Sequence, residues 1–182
     1  MWLDREKMIY ILDSSAFIFG FSMNPLNSSY TTDEVIREVR KNPFVRARIE
    51  TFVSQGSIRI MSPPKDFLSR VSHTAKDTAD LEVLSQTDLS ILALSLYLKE
   101  NVDIESTLVS DDYAIQNMAS VLGIPFKSLS VRGITKEIKW VIYCPACRKV
   151  FETSPGLICP ICGHNVKRKP KEKSTLSTSN KF

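Results

Sequence analysis

Asp13 closes an unbroken apolar run, Met8-Ile9-Tyr10-Ile11-Leu12, and is followed at once by the hydroxyls of Ser14 and Ser15. Asp111 and Asp112 close a second apolar run, Leu108-Val109-Ser110, in the same way. Glu34 and Asp88 stand near the starts of helical patterns, Glu34 behind Thr31 and Asp88 behind Ser85. Carboxylates are hard oxygen donors, and a set of them gathered at one place suits Mg²⁺ or Mn²⁺, ions that keep several of their waters. Two carboxylates about 4 Å apart repel by roughly 4 kcal/mol at an effective dielectric near 20, so such a set calls for a compensating cation. The chemistry a dication supplies at such a site is polarisation of a phosphate and activation of a bound water, with no Ser, Cys or His nucleophile required. Each acid also has a local reading. Asp111 and Asp112, directly before a helix, suit capping or turn chemistry. Thr31-x-x-Glu34 and Ser85-x-x-Asp88 both match capping boxes, and an acid in the first turn suits the helix dipole. Four acids at element ends, Asp13, Glu34, Asp88 and Asp111, are harder to assign to capping as a group.

The second chemical signal is Cys144-Pro145-Ala146-Cys147 followed, after eleven residues, by Cys159-Pro160-Ile161-Cys162-Gly163. Paired C-x-x-C knuckles suit tetrahedral thiolate coordination, and Gly163 permits the tight turn after the second. A segment of about 25 residues cannot bury enough core to fold alone, and metal binding worth about 10 kcal/mol or more supplies the stability. Zinc and iron both fit four thiolates, as in rubredoxin-like carriers. A closed four-thiolate shell is structural rather than catalytic. The knuckle spacing predicts a hairpin through Lys149-Val150-Phe151-Glu152, turning near Pro155-Gly156 and returning at Leu157-Ile158. The two histidines lie outside both signals: His73 falls mid-helix without a partner motif and reads as surface or filler, and His164 reads as surface.

The elements that must position these groups follow from periodicity and punctuation. Met8 to Leu12 reads as a strand buried on both faces, as in a parallel sheet, and ligands of open α/β sheets gather at the carboxyl ends of such strands. Ala16 to Asn27 reads as a loop or short helical turn, broken at Asn24-Pro25. Thr31 opens a helix to about Lys41, Asn42-Pro43 ends it, and Phe44 to Gln55 forms a second helix closed by Gly56. Ser57 to Met61 is a short strand, and Pro63-Pro64 leads into a third helix carrying Phe67, Leu68 and Val71. From Ser85 the residues Leu89, Ile91, Leu92, Ala93, Leu96, Tyr97 and Leu98 are apolar on all sides, which predicts a central helix. Ser106 to Ser110 is a strand, Tyr113 to Leu122 a helix stopped by Gly123, and Ile124-Pro125-Phe126 an edge strand. Strands alternating with helices predict a parallel α/β/α sandwich over residues 1–128, a linker over 129–139, a ribbon over 140–165 and a basic, unstructured tail over 166–182.

The chain has 182 residues, 43% of them hydrophobic, and a net charge of +4 that is unevenly spread. From Trp140 onward there are eight Lys/Arg against two acids, leaving sixteen bases and eighteen acids before it. A mildly acidic body with a basic end points to a polyanionic partner. Arg148, Lys149, Lys167, Arg168 and Lys169 are the candidate phosphate contacts, and Trp140, Tyr143 and Phe151 could stack on bases or pack the ribbon. No apolar run approaches the roughly 18 residues of a membrane span, and the N-terminus has no signal-peptide pattern, so the expected location is cytoplasmic. Cysteines paired at short spacing then mean metal rather than disulfides.

Ile11-Leu12-Asp13-Ser14-Ser15, Leu108-Val109-Ser110-Asp111-Asp112 and Glu34 between them resemble a PIN-domain nuclease. Leu84-Ser85-Gln86-Thr87-Asp88-Leu89-Ser90, followed by the cysteine knuckles, resembles the Nin-one-binding endoribonuclease family in its compact archaeal form, over residues 8 to about 165. The resemblance implies a PIN-like α/β/α sandwich with a zinc ribbon. It also implies a Mn²⁺- or Mg²⁺-dependent endoribonuclease that trims the 3′ end of small-subunit ribosomal RNA precursors within a pre-ribosomal particle and its assembly factors. Asp13, Glu34, Asp88 and Asp111 would be the ligands, Asp112 would assist, and Ser14 and Ser110 would orient carboxylates or water. A basic ribbon beside such a body favours zinc over iron. Hydrolysis would leave a 5′-phosphate and a 3′-hydroxyl. Two alternatives remain: a toxin ribonuclease sharing the acids, a class that normally lacks the cysteine module, and a non-catalytic RNA-binding scaffold whose acids serve as caps.

Overall fold

Strand β1 (Ile9–Leu12) runs through the middle of a parallel sheet, and its continuous apolar sequence is the reason: Ile9, Ile11 and Leu12 are all buried. The computed structural model describes residues 8–21, 28–78, 83–129, 136–151 and 155–175. Beside β1 lie β2 (Ser28–Thr31) on one side and β4 (Ser106–Val109) on the other, with β3 (Ile58–Ile60) and β5 (Phe126–Lys127) at the edges. All neighbours are parallel, with Ile11 opposite Tyr30 in β2 and Leu108 in β4. The order β3-β2-β1-β4-β5 reverses direction between β1 and β4, which makes the carboxyl ends of those two strands the switch-point crevice.

Helices α1 (Ser14–Phe19), α2 (Asp33–Val39), α3 (Pro43–Ser54), α4 (Lys65–Asp77), α5 (Gln86–Asn101) and α6 (Tyr113–Val121) fill the connections. The central helix expected from Ser85 is α5: Leu89 to Leu96 and Leu98 are buried, and the helix packs against β1, β4, α2, α4 and α6. Each fully buried Leu or Ile contributes about 1.5–3 kcal/mol, so α5 is the main apolar link between the sheet and the helical layer. Its far end is held to α4 by Arg70, which grips Glu100 through both guanidinium nitrogens (2.8 and 2.7 Å) and covers the Phe67 ring.

Several local expectations change. Ser28–Thr31 is a strand, and the Thr31 hydroxyl, expected to cap a helix, donates instead to the Leu12 carbonyl at 2.8 Å. Thr32 caps α2, accepting from the Val35 N–H. Part of the expected linker is the start of β6 (Lys136–Tyr143), and most of the expected tail is β8 (Lys167–Thr175), paired antiparallel with β6. Low hydrophobicity does not prevent this, because β6 offers a free row of backbone donors and acceptors. The side chains of β8 also find partners: Arg168 lies over the Trp140 ring at 4.0 Å and Lys169 over the Tyr143 ring at 5.0 Å. Pro170 falls where the register shifts, on the outer strand of the order β7-β6-β8, a position that tolerates a missing N–H.

The ribbon hairpin differs too. β7 (Val150–Phe151) pairs back on β6 across the first knuckle, and Ile158 bridges Asn165 across the second. Each knuckle is thus its own turn, because the metal ligands sit at the tips rather than along one hairpin. The Asn24-Pro25 break, residues 130–135 of the linker, Glu152 and the tail from residue 176 lie outside the described residues. Among the described helices none is long and apolar enough to cross a membrane.

Truncating Leu94, which is fully buried in α5, to Ala is expected to cost about 3 kcal/mol of stability, read as a lower urea midpoint with an unchanged m-value.

Candidate active site and thiol metal centre

Asp13 leaves β1 at the switch point and is 5% exposed, an unusual depth for a carboxylate. Its Oδ2 accepts from Ser110 Oγ at 2.8 Å and from Ser15 Oγ at 3.1 Å. Burial pushes its carboxyl above the ordinary 3.8; the bonds from Ser110, the Ser14 backbone and Ser15 pull the other way, and the charge of Asp88 adds to the rise. Asp88 forms the capping box foreseen at the start of α5, with its Oδ2 taking the Ser85 N–H at 2.7 Å and its own N–H reaching Ser85 Oγ at 3.2 Å. Burial also raises the Asp88 carboxyl, against the Ser85 bonds, and the charges of Asp112 and Glu38 raise it further.

Asp112, expected to assist, and Glu38, outside the expected ligand set, are the acids whose charges reach Asp88. Asp112 caps α6 with Oδ1, which takes the N–H groups of Ala114 (2.6 Å) and Ile115 (3.3 Å), and its field reaches Asp88. Asp111 Oδ1 accepts from Ser128 Oγ and from the Leu129 N–H at 2.8 Å, tying the end of β4 to the segment after β5. On α2 the expected residue is Glu34, which is half-buried and pairs with Arg37 at 2.8 Å, whereas Glu38 is exposed. The residue whose charge is felt at Asp88 is Glu38, one turn further on and absent from the sequence reading. A spacing of four places both glutamates on one helix face, so periodicity alone could have named either. Helix α2 packs against α5, sealed by Thr32 and Ser90 with hydroxyl oxygens 2.9 Å apart.

The donor set fits a hard cation. Two carboxylates that repel each other and favour protonation gain most from a positive charge, and Ser14 Oγ is buried there without a hydrogen-bond partner. Among the described residues, the one group of ligating side chains close enough to hold an ion directly is the four cysteines; the acids form no such group. His73 stays outside, paired with Asp77 at 3.3 Å on an exposed helix face.

The four thiols do converge. Cys144 and Cys162 sulfurs are 3.4 Å apart, Cys147 and Cys159 3.7 Å. Tetrahedral bonds of about 2.3 Å place sulfurs about 3.8 Å apart, so the group can hold a metal ion. The knuckles are matched in backbone: Cys144 N–H to Lys149 O and Cys159 N–H to His164 O, both 2.8 Å. At the residue after the second cysteine of each, Gly163 has φ +71° and Arg148 has φ +60°. The Cys144 thiol is pulled down to about 6, first by the Cys147 backbone N–H. The His164 backbone N–H also favours the Cys162 thiolate, but crowding by the other sulfurs and burial push it up to about 12. Without a cation the group cannot carry all its negative charges at once. His164 is exposed beside it and adds no ligand atom to the group.

Residues 10–98 match the family model described as the PIN domain of ribonuclease. Endoribonuclease Nob1 of Pyrococcus abyssi is 41% identical over 168 residues, which cover 92% of this chain and 97% of that one. The chain belongs to the Nob1 endoribonuclease family. A second relative of this Nob1-family chain, ribonuclease VapC1 of Thermoplasma acidophilum, is 38% identical and covers 93% of this chain and 82% of its own. Alignments of that extent run through the cysteine module in both cases. The 20S-pre-rRNA D-site endonuclease NOB1 of Saccharomyces cerevisiae is 36% identical over 92 residues, 49% of this chain and 20% of that protein. The fold is accordingly the nuclease fold of the PIN domain, and a divalent metal belongs to its chemistry.

The raised carboxyls of Asp13 and Asp88 carry a sign. Stability from such groups is full below the ordinary carboxylate value near 3.8 and is lost as pH rises through the raised values. Metal-free Asp13→Asn is therefore expected to be more stable than wild type at pH 7, by about 1 kcal/mol, with the difference vanishing toward pH 3 in acid-series melts. Stripping the thiol-bound ion with a chelator is expected to abolish hydrogen-exchange protection of the knuckle amides Cys144 and Cys159 while the parallel sheet keeps its own.

Proposed function

We propose that this chain cleaves the 3′ end of a small-subunit ribosomal RNA precursor by metal-dependent hydrolysis, leaving a 3′-hydroxyl and a 5′-phosphate. The observation that carries the reading is the buried Asp13 at the switch point of an endoribonuclease fold, its carboxyl raised further by the charge of the half-buried Asp88. The naming of the S. cerevisiae relative for a 20S pre-rRNA site supports the substrate. Asp13, Asp88, Asp112 and Glu38 hold a Mg²⁺ or Mn²⁺ ion; Asp112 and Glu38 take the places first given to Asp111 and Glu34. When bound, that ion supplies Lewis-acid stabilisation of charge on the phosphate and an activated water. Ser110 fixes the Asp13 carboxylate, and Ser14, with its unpartnered hydroxyl, orients a water.

Zinc fills the four-thiolate group and completes its tetrahedral shell, so its role is to fold the ribbon. Arg148, Lys149, Lys167, Arg168 and Lys169 take RNA phosphates. Arg168 and Lys169 do so from above the rings of Trp140 and Tyr143, which places cations and aromatics on one sheet. The nuclease unit is residues 1–128, and the ribbon, drawn by β6 and β8, is wider than the 140–165 of the sequence reading. The protein works in the cytoplasm, on a pre-ribosomal particle with its assembly factors. Similarity to the relative named VapC1 favours a second reading, a toxin-type ribonuclease with the same acids but no preference for the precursor.

The test is incubation of the purified full chain with a 3′-extended small-subunit RNA fragment, with Mn²⁺ or EDTA, and mapping of the ends. Asp88→Asn, Asp112→Asn and Glu38→Gln are expected to lose at least about 100-fold in rate, whereas Asp111→Asn and Glu34→Gln stay within about 10-fold. Asn still caps a helix, so Asp112→Asn keeps α6 intact. Cleavage in EDTA, a 2′,3′-cyclic phosphate end, or equal cutting of unrelated RNA would each overturn a stated part of the proposal.

A further inference from the structure

Ser15 has no task in the reading above, yet it is tied to the site as closely as Ser110. Its Oγ accepts the Asp111 N–H at 3.0 Å and donates to Asp13 Oδ2 at 3.1 Å. Ser110 repeats the arrangement one residue on: its Oγ accepts the Asp112 N–H at 3.1 Å and donates to the same Oδ2 at 2.8 Å. A hydroxyl has one proton, and an amide N–H aimed at its oxygen occupies a lone pair and leaves that proton to point elsewhere. Here both protons point at Asp13. Consecutive amides of the turn between β4 and α6 thus aim two hydroxyls at a single carboxylate oxygen.

Resting on the nuclease reading, we propose that Ser15 is a positioning residue which, with Ser110, holds Oδ2 of Asp13 and so fixes the orientation of the carboxylate that would bind the divalent ion. The arrangement has two effects. A carboxylate held by two donors on one oxygen cannot rotate to offer both oxygens to an ion, so the ligand geometry is set before the ion arrives. Ser15 sits on α1, after β1, while Asp111 and Asp112 follow β4. The pair of hydroxyls therefore fastens the ends of the two switch-point strands to each other through the side chain that binds metal. Ser110 has support of its own, since its carbonyl is held by the buried Gln116 Nε2 at 2.8 Å. Ser15 makes its contribution through the hydroxyl, and an Ala there would fill nearly the same space.

The test is Mn²⁺ binding, read from the paramagnetic resonance signal of the free ion, on the zinc-loaded full chain without RNA. Ser15→Ala is expected to weaken Mn²⁺ binding about 10-fold, and Ser15→Thr, which restores the hydroxyl, to stay within about 3-fold of wild type. If Ser15→Ala fails to fold, Ser15→Cys, of similar size with a weak donor, is expected to show the same loss of about 10-fold. Mn²⁺ affinity equal to wild type in the variant lacking the hydroxyl overturns the role of Ser15 and leaves the nuclease reading standing. A wild-type chain that takes up no Mn²⁺ overturns both.

Discussion

Two negative side chains, Asp13 and Asp88, are kept together in a place that disfavours their charge, and much of the nuclease unit exists to keep them there. Neither position is cheap. Asp13 gives up nearly all of its solvent, and Asp88 faces further acids in Asp112 and Glu38. What holds them is apolar burial on a larger scale. β1 is clamped between β2 and β4, and α5 is buried along most of its length against that sheet. Since each buried aliphatic side chain of α5 contributes a kcal/mol or more, the helix can carry an unfavourable carboxylate at its first turn and stay docked.

Hydrogen bonding refines what burial enforces. Thr31, Thr32, Ser15, Ser90 and Ser110 are short hydroxyl side chains clustered where β1, β2, β4, α2 and α5 meet. Their number is explained by the polar backbone and carboxylate groups that the switch point leaves in the interior, each of which needs a partner once water is excluded. The same groups set the direction in which Asp13 presents its oxygens.

The ribbon obeys a related rule with softer donors. Its sulfurs lie too close for all to ionise unless a cation sits among them, and its knuckles satisfy their backbone through matched turns. The long pairing of β6 with β8 extends this small module well beyond the cysteines. Lysines along β8 protect an exposed edge from pairing with another chain while giving the sheet the positive charge that the body lacks.

Periodicity and punctuation were enough to place β1, β4, β5 and all the longer helices, because an apolar run of five or a helix hydrophobic on all sides admits few other fates. They were also enough to mark Asp13 and Asp88, one at the end of a buried strand and one in the capping box that opens α5. β2 escaped notice because Ser-Ser-Tyr-Thr is short and polar, and it becomes a strand through its neighbours β1 and β3. β8 escaped because its partners are the backbone and the rings of β6, which lie outside its own composition. By itself, then, the sequence determined the longer helices and apolar strands, the paired thiols and the kind of chemistry, since these depend on local pattern and donor identity. Only the tertiary structure selected which acids act on Asp88, the charges of Glu38 and Asp112 reaching it. Those choices turn on how α2 packs against α5 and on how one turn after β4 bends, and neighbouring acids of equal chemistry differ only in what they are brought to face.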